Sequence, residues 1–328
     1  ARAVSGAEGP SCLIIAHRGA SALVPEHTLA AYAIAARLGA DYIEPDLVMT
    51  KDGVLIARHD NVLNLTTDVA KRPEFADRKA TKSVDGEAVE GWFSEDFTLA
   101  EIKALRAIER IPEARPGNAM FDGHFTIPTF DEILAMVKTL SAETGRTIGV
   151  YPETKHPTHF ADVGLPMEKP LIEALARHDL DRAGAPVFIQ SFEISNLKTL
   201  AGMTELPLIQ LLWKEGKPFD VTKAGGTTTY DEMATAAGLE AIATYSAGVG
   251  PEKNHFIIPL DADGRLDIAR TTDFVANAHA AGLRVHPYTF RAENQFLPAQ
   301  YRDGAQPTAL GDAEGEIAAF LAAGIDGF

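Results

Sequence analysis

A chain of 328 residues with 46% hydrophobic content can bury a substantial core, as one large domain or two modest ones. Its 46 acidic against 30 basic residues leave a formal net charge of -16, which argues against general affinity for nucleic acid or anionic membrane surfaces. The single cysteine, Cys12, excludes an internal disulfide framework and, lying in an apolar run, is expected to be a buried, inert thiol; no apolar stretch is long enough to span a bilayer.

The opening ARAVSGAEGPS carries no signal peptide and is compatible with the ragged terminus that cleavage of one leaves. Cys12–Ala16 reads as a strand. Leu29, Tyr32, Ala33, Ala36 and Leu38 then follow helical spacing, with Thr28 as N-cap and Gly39 as the stop. Tyr42–Leu47 is a second strand, and MTKDGVLIARHD is a turn around Asp52-Gly53 leading into a short strand that delivers His59. Residues 61–125 are too long and too rich in charge, Gly and Pro for a loop, so they are read as an inserted cap, with 1–60 and 126–328 forming the main domain. In and beside the cap, Thr98 with Glu101 and Thr129 with Glu132 have the spacing of helix capping boxes. The stretch DGHFTIP at its end is placed to reach over a site.

Beyond the cap the alternation resumes. Strands are expected at Thr147–Glu153, Pro186–Gln190, Pro207–Leu212, Glu240–Thr244, Leu283–Tyr288 and Gly324–Phe328. Helices are expected at Glu168–His178, Glu193–Ala201, Tyr230–Ala237, Ala269–Ala281 and Asp312–Ala322. Eight β-units, each but the last followed by a helix, favour an α/β (β/α)8 barrel of the TIM type over a doubly wound sheet. The chain stops at GIDGF inside the eighth strand, so the last helix is expected to be missing from a trimmed sequence.

The polar residues sit where such strands end. Glu44 and Asp46 are two apart in a strand and share a face, Pro45 between them offers no N–H, and Glu153 ends the third strand. Carboxylates brought that close repel unless protonated or neutralised, and a hard divalent cation held through oxygen accounts for them. Lys155 faces the same way as Glu153, and Arg18 offers a planar fork suited to phosphate oxygens. With His17 and His59, one imidazole taking a proton from the attacking oxygen and the other giving one to the leaving alkoxide, the set describes phosphoryl transfer.

The stretches IIAHRGASALVPEHTLAAY, GADYIEPDLVMTKDGVLIARHD and GVYPETKHP resemble the glycerophosphodiester phosphodiesterases, especially the bacterial periplasmic branch. The likeness continues through FIQSFEISNLKTL, HPYTFR and AAGIDGF. It implies a TIM-type barrel with a cap after the second strand, and calcium or magnesium held by Glu44, Asp46 and Glu153. His17 would then be the general base and His59 the general acid, and Arg18 and Lys155 would hold phosphate. Gln190, Phe192, His286 and Tyr288 would line the pocket, with His27 supporting the first motif. The implied reaction releases sn-glycerol 3-phosphate and an alcohol such as choline or ethanolamine, by way of a cyclic phosphate or by direct water attack. The expected partner is a small-molecule glycerophosphodiester, with no nucleic acid and no stable membrane insertion. The chain is expected as a monomer or homodimer, periplasmic or secreted, with a cytoplasmic location as the alternative. Two rival readings stay open: cleavage of an intact phospholipid, and a non-catalytic protein that keeps only the cation site.

Overall fold

Parallel strands alternate with helices around a closed ring in the computed structural model, which describes residues 12–328; the ARAVSGAEGPS opening lies outside the described residues. The first strand, Ile15–His17, pairs with Tyr42–Glu44, and Tyr42 pairs in turn with Gly149. Pro45 divides the second strand, whose continuation Asp46–Met49 pairs with Glu153–Thr154. Glu153 then pairs with Gln190, Gln190 with Ile209, Ile209 with Gly248 and Gly248 with Arg284, every pair parallel. The ring closes at the chain's end, where the amide of Asp326 donates to Val285 O and that of Leu13 to Asp326 O, both at 2.9 Å. The fold is thus the (β/α)8 barrel expected from the alternation.

Local chemistry explains the elements that carry the site. Helix Leu29–Leu38 starts at Thr28, whose hydroxyl accepts the Ala31 amide, and stops at Gly39, whose φ of 115° suits glycine. Both capping boxes form, at Thr98 ahead of Leu99–Ala104 and at Thr129 ahead of Phe130–Thr144. Leu55–Ala57 runs antiparallel to Asp46–Met49 across the Gly53 turn and carries the chain to His59. Residues 61–125 contain 3-10 turns, the hairpin Ala80–Val84 with Glu87–Gly91, and helix Leu99–Ala104. Phe97, Ile102, Leu105 and Ala107 from this segment are buried in the same hydrophobic cluster as Val48, Ile56 and Phe130.

One strand lies elsewhere than the sequence places it. Glu240–Thr244 belongs to the end of helix Ala236–Ile242, capped by Thr235, with Leu239 and Ile242 turned into the core. The sixth strand is Gly248–Pro251. Apolar Ala-Ile-Ala is ambiguous between a buried strand and a helical turn, whereas Gly-Val-Gly-Pro contains the residues that usually interrupt strands. Glycine is required here, because a Cβ at Gly248 would stand 2.8 Å from the carbonyl oxygen of Arg284. The helix expected over Ala269–Ala281 also divides, into a 3-10 turn at Ile268–Arg270 and an α-helix at Phe274–Ala280.

Tyr151, Phe188 and Ile209 are buried together inside the ring, with Leu13, Ile15 and Tyr42 packed against them. The Tyr151 and Phe188 ring centroids stand 5.1 Å apart. This plug fills the lumen, so a ligand approaches from the C-terminal ends of the strands, where the charged motifs sit. Cys12 is only half-buried; burial, with the charges of Asp326 and Asp41, pushes its thiol up to about 11.

Candidate active site

Strand register assembles the acidic group. His17 lies beside Glu44, and Asp46 beside Glu153, which lies beside Gln190. Glu44, Asp46 and Glu153 are all buried, and each offers a carboxylate oxygen within 4.8 Å of the others. Pro45 keeps its carbonyl in the ladder, accepting the Glu153 amide at 3.0 Å, so the strand continues past the missing N–H.

These carboxylates are held differently. Glu44 accepts the Gln190 side-chain amide at 2.8 Å through one oxygen and the Arg18 backbone amide at 2.9 Å through the other. Asp46 Oδ2 meets His27 Nε2 at 2.8 Å, while Asp46 Oδ1 is buried without a hydrogen-bond partner among the described residues. Lys155 Nζ lies 2.8 Å from Glu153 Oε1 but off the line of a good hydrogen bond, and 3.9 Å from Asp46 Oδ1. Burial, then the charges of Asp46 and Glu153, pushes the Glu44 carboxyl far above its usual range. Burial also raises Glu153 to about 8, against the pull of Lys155. In Asp46 the upward push of burial is overcome by Lys155 and His27, which hold its carboxyl low. A hard divalent cation fits this set: all-oxygen donors, two buried oxygens without a hydrogen-bond partner, Asp46 Oδ1 and Glu153 Oε1, and two carboxyls that cannot ionise cheaply without a positive charge between them.

The two imidazoles sit in contrasting surroundings. His17 has its pKa driven well down by burial, then by Arg18 and Arg291. His59 is also lowered, to about 3, by burial and then by Arg18 and Lys155, but Asp60 opposes this, with its Oδ1 2.9 Å from His59 Nδ1. Asp60 in turn accepts Arg110 Nη1 at 2.7 Å.

Of the residues named for the pocket, Gln190 bonds Glu44 directly. Phe192 lies beside the acidic group, its ring centroid 5.8 Å from Lys155 Nζ. Tyr288 packs edge-on to Phe192 at 6.1 Å and donates its hydroxyl to Leu212 O. His286 stands apart from these, at the lumen plug: its Nδ1 meets the Tyr151 hydroxyl at 2.9 Å and its ring packs edge-on to Phe188. Arg18 is brought to the site, but its Nη1 donates to Glu26 Oε2 at 3.0 Å and its Nε lies 3.5 Å from Asp46 Oδ2. His27 stands behind the acidic group as expected, with Tyr32 OH on its other nitrogen at 2.6 Å.

A family model described as glycerophosphoryl diester phosphodiesterase matches residues 17–328. The chain belongs to that family. This phosphodiesterase is 40% identical over 302 residues to glycerophosphodiester phosphodiesterase GDPD6 of Arabidopsis thaliana, covering 88% of this chain and 76% of the relative. It is 32% identical over 311 residues to the glycerophosphodiester phosphodiesterase of Haemophilus influenzae, covering 89% and 81%. Among solved structures, an Oleispira antarctica phosphodiesterase in complex with the product sn-glycerol-3-phosphate aligns with TM-score 0.58 at 19% identity, covering 96% of this chain and 91% of that one. The Thermotoga maritima glycerophosphodiester phosphodiesterase aligns with TM-score 0.52 at 16% identity, covering 98% and 94%. These two likenesses bear on the fold.

Several charged residues of the phosphodiesterase site escape sequence reasoning. Glu26 is buried and accepts from both Arg18 and Arg110, whose Nη2 lies 2.8 Å from Glu26 Oε1. Arg110 lies within residues 61–125, so that stretch contributes a side chain to the site. Arg58 is fully buried and donates to the backbone carbonyls of Glu26 and His27. Glu26 and His27 lie in the quoted PEHT stretch, but nothing in their spacing signals these partners; His27 and Arg18 both have positive φ, 54° and 60°, visible only in coordinates.

Proposed function

We propose that the protein hydrolyses glycerophosphodiesters such as glycerophosphocholine and glycerophosphoethanolamine to sn-glycerol 3-phosphate and the free alcohol, with a divalent cation and the two imidazoles His17 and His59. The observation that carries this reading is the acidic trio, with oxygens within 4.8 Å of one another and His17 in register beside Glu44. Glu44, Asp46 and Glu153 would hold calcium or magnesium, which, when bound, polarises the phosphoryl group.

The chain's own residues divide the proton work. His17, depressed by burial and two guanidinium groups, rests as the neutral imidazole needed to accept the proton of the attacking oxygen. His59 is lowered to about 3 in the free protein, but Asp60 on its Nδ1 favours the charged form and the negative charge of a bound diester would add to that, so that the imidazolium donates to the departing alkoxide as the phosphorus–oxygen bond breaks. Lys155, 2.8 Å from Glu153, supplies positive charge on the phosphate side, and Phe192 and Tyr288 offer apolar faces to the glycerol carbons. Residues 61–125 serve as a cap on this site, a role that rests on Arg110 bonding Glu26 and Asp60. No helix among the described residues is long and apolar enough to cross a membrane, and the proposed substrate is a small diester met from solution.

The decisive experiment is release of sn-glycerol 3-phosphate from glycerophosphocholine and glycerophosphoethanolamine after chelation and after add-back of calcium or magnesium. Turnover abolished by chelation and restored by one of the ions supports the reading. Turnover unaffected by chelation removes the cation from it, and no turnover under any condition removes the activity.

A further inference from the structure

We infer that Arg291 is a phosphate-binding residue of the active site, a second guanidinium beside Arg18. This rests on the proposed diesterase activity and extends it to a residue outside the acidic and histidine motifs.

Around the mouth, the other cations of the site each hold at least one carboxylate, although Arg18 Nε is buried without a hydrogen-bond partner and keeps donor capacity for an anion. Arg18 and Arg110 both donate to Glu26, at 3.0 and 2.8 Å. Lys155 lies 2.8 Å from Glu153, and Arg115 donates to Glu293 at 2.5 Å. Arg291 differs: among the described residues its guanidinium makes no hydrogen bond and no ion pair. It rests on the face of Phe296, 4.7 Å from the ring centroid, and is half-buried. The nearest acidic residue in sequence, Glu293, is taken by Arg115.

Topology puts this free charge on the reacting side. Arg291 follows the seventh strand, Arg284–Val285, and the ring runs from there through the closing segment at Asp326 to the first strand, which ends in His17. Lys155 follows the third strand, directly after Glu153–Thr154. The charge of Arg291 is felt at His17, where it ranks just after Arg18 in depressing the imidazole. A half-buried guanidinium in the field of two other arginines gains when an anion arrives. Burial and the charges of Arg18 and Arg115 already lower its own pKa, to about 10. Its planar fork, stacked and pre-oriented on a ring, suits two oxygens of one phosphoryl group.

The test compares wild type with Arg291→Gln and Arg291→Lys. Binding of inorganic phosphate is measured by calorimetry, kcat/KM is measured on glycerophosphocholine and glycerophosphoserine, and thermal melting reports folding. The expected result is phosphate binding weakened at least about 10-fold in Arg291→Gln, with kcat/KM lowered about 100-fold on both diesters, the size of losing one charge-stabilising donor. Arg291→Lys, which keeps the charge but loses the fork, should recover part of the phosphate affinity. Unchanged phosphate binding in folded Arg291→Gln overturns the inference. So does a loss confined to glycerophosphoserine, which would place the guanidinium against an anionic head group. Because phosphate binding is read without turnover, a wild type that binds phosphate normally but cleaves neither diester would count against the functional reading and leave this assignment standing on its own measurement.

Discussion

His27 Nε2 stands 2.8 Å from Asp46 Oδ2, with the Tyr32 hydroxyl 2.6 Å from the other ring nitrogen. All three side chains are buried, so this relay fixes the orientation of Asp46 and leaves its second oxygen directed at Glu44 and Glu153. Partners behind a cation ligand typically matter about 10–100-fold in affinity. Replacing His27 with Ala is expected to weaken calcium or magnesium binding by that factor in calorimetry. It should also cost about 1–3 kcal/mol of unfolding stability, because Asp46 and Tyr32 lose a buried partner. Cation affinity unchanged in His27→Ala would show that the relay does not position Asp46.

Proton release on cation binding is the second expectation. With Glu153 raised to about 8 and Glu44 also raised, both by burial first, the cation-free protein carries protons at neutral pH that the ion must displace. Groups raised in the folded state favour folding at low pH and lose that contribution as pH climbs from their ordinary 4.5 towards about 8. The depressed imidazoles act in the opposite direction, His59 between about 3 and its ordinary 6.5, so the clean window for the carboxyls lies above 6.5. Glu193, raised to about 8 by burial, shares that window but is common to both forms. The melting-temperature gap between cation-loaded and chelated protein should therefore widen from pH 6.5 to 8, and calorimetry in buffers of different ionisation enthalpy should report protons released at pH 7. A gap that narrows with pH contradicts the protonation assigned to the trio.

Loss of either imidazole should separate chemistry from binding. His17→Ala and His59→Ala are each expected to lower kcat on glycerophosphocholine by about 10²–10⁴-fold. Affinity for sn-glycerol 3-phosphate should stay within a few-fold. Asp60→Asn, which weakens the carboxylate contact on His59 Nδ1 at 2.9 Å, should fall between wild type and His59→Ala. If His59→Ala retains full turnover while Asp60→Asn loses it, the acid role moves away from the imidazole.

The barrel and the residues of its acidic and histidine motifs were readable because their signals are local. Alternating apolar runs mark strands, Thr-x-x-Glu marks two helix starts that both form, and Glu-Pro-Asp at a strand end places two carboxylates together. What connects those residues was not readable. Glu26 serves Arg18, 8 residues away, and Arg110, 84 residues away, and no pattern at either end announces the pairs. Arg18 shows how a carboxylate can position a fork without filling it: Glu26 takes Nη1, while the buried Nε has no hydrogen-bond partner. His286 is a pocket residue by resemblance; it shares the face of Tyr288, two residues on, but lies deeper in the ring, at the lumen plug beside Tyr151. The sixth strand was misplaced because hydrophobicity, the main strand signal, is nearly absent from Gly-Val-Gly-Pro.

That glycine-rich strand yields the last expectation. A Cβ at Gly248 would stand 2.8 Å from both Arg284 O and Ile209 Cδ1, and the carbonyl, fixed in the strand ladder, has no rotamer by which to move away. Gly248→Ala should therefore push the sixth strand from the seventh, at a cost of roughly 1–3 kcal/mol, seen as a melting temperature lower by a few degrees. Gly117 is the matched control: its φ of -65° is an ordinary helical value and nothing lies within 4 Å of an added Cβ. Gly117→Ala should be neutral or slightly stabilising, within about 1 kcal/mol, because it only restricts the unfolded chain. Equal melting temperatures for the two variants would mean that the barrel wall between the fifth and seventh strands yields more easily than its register implies.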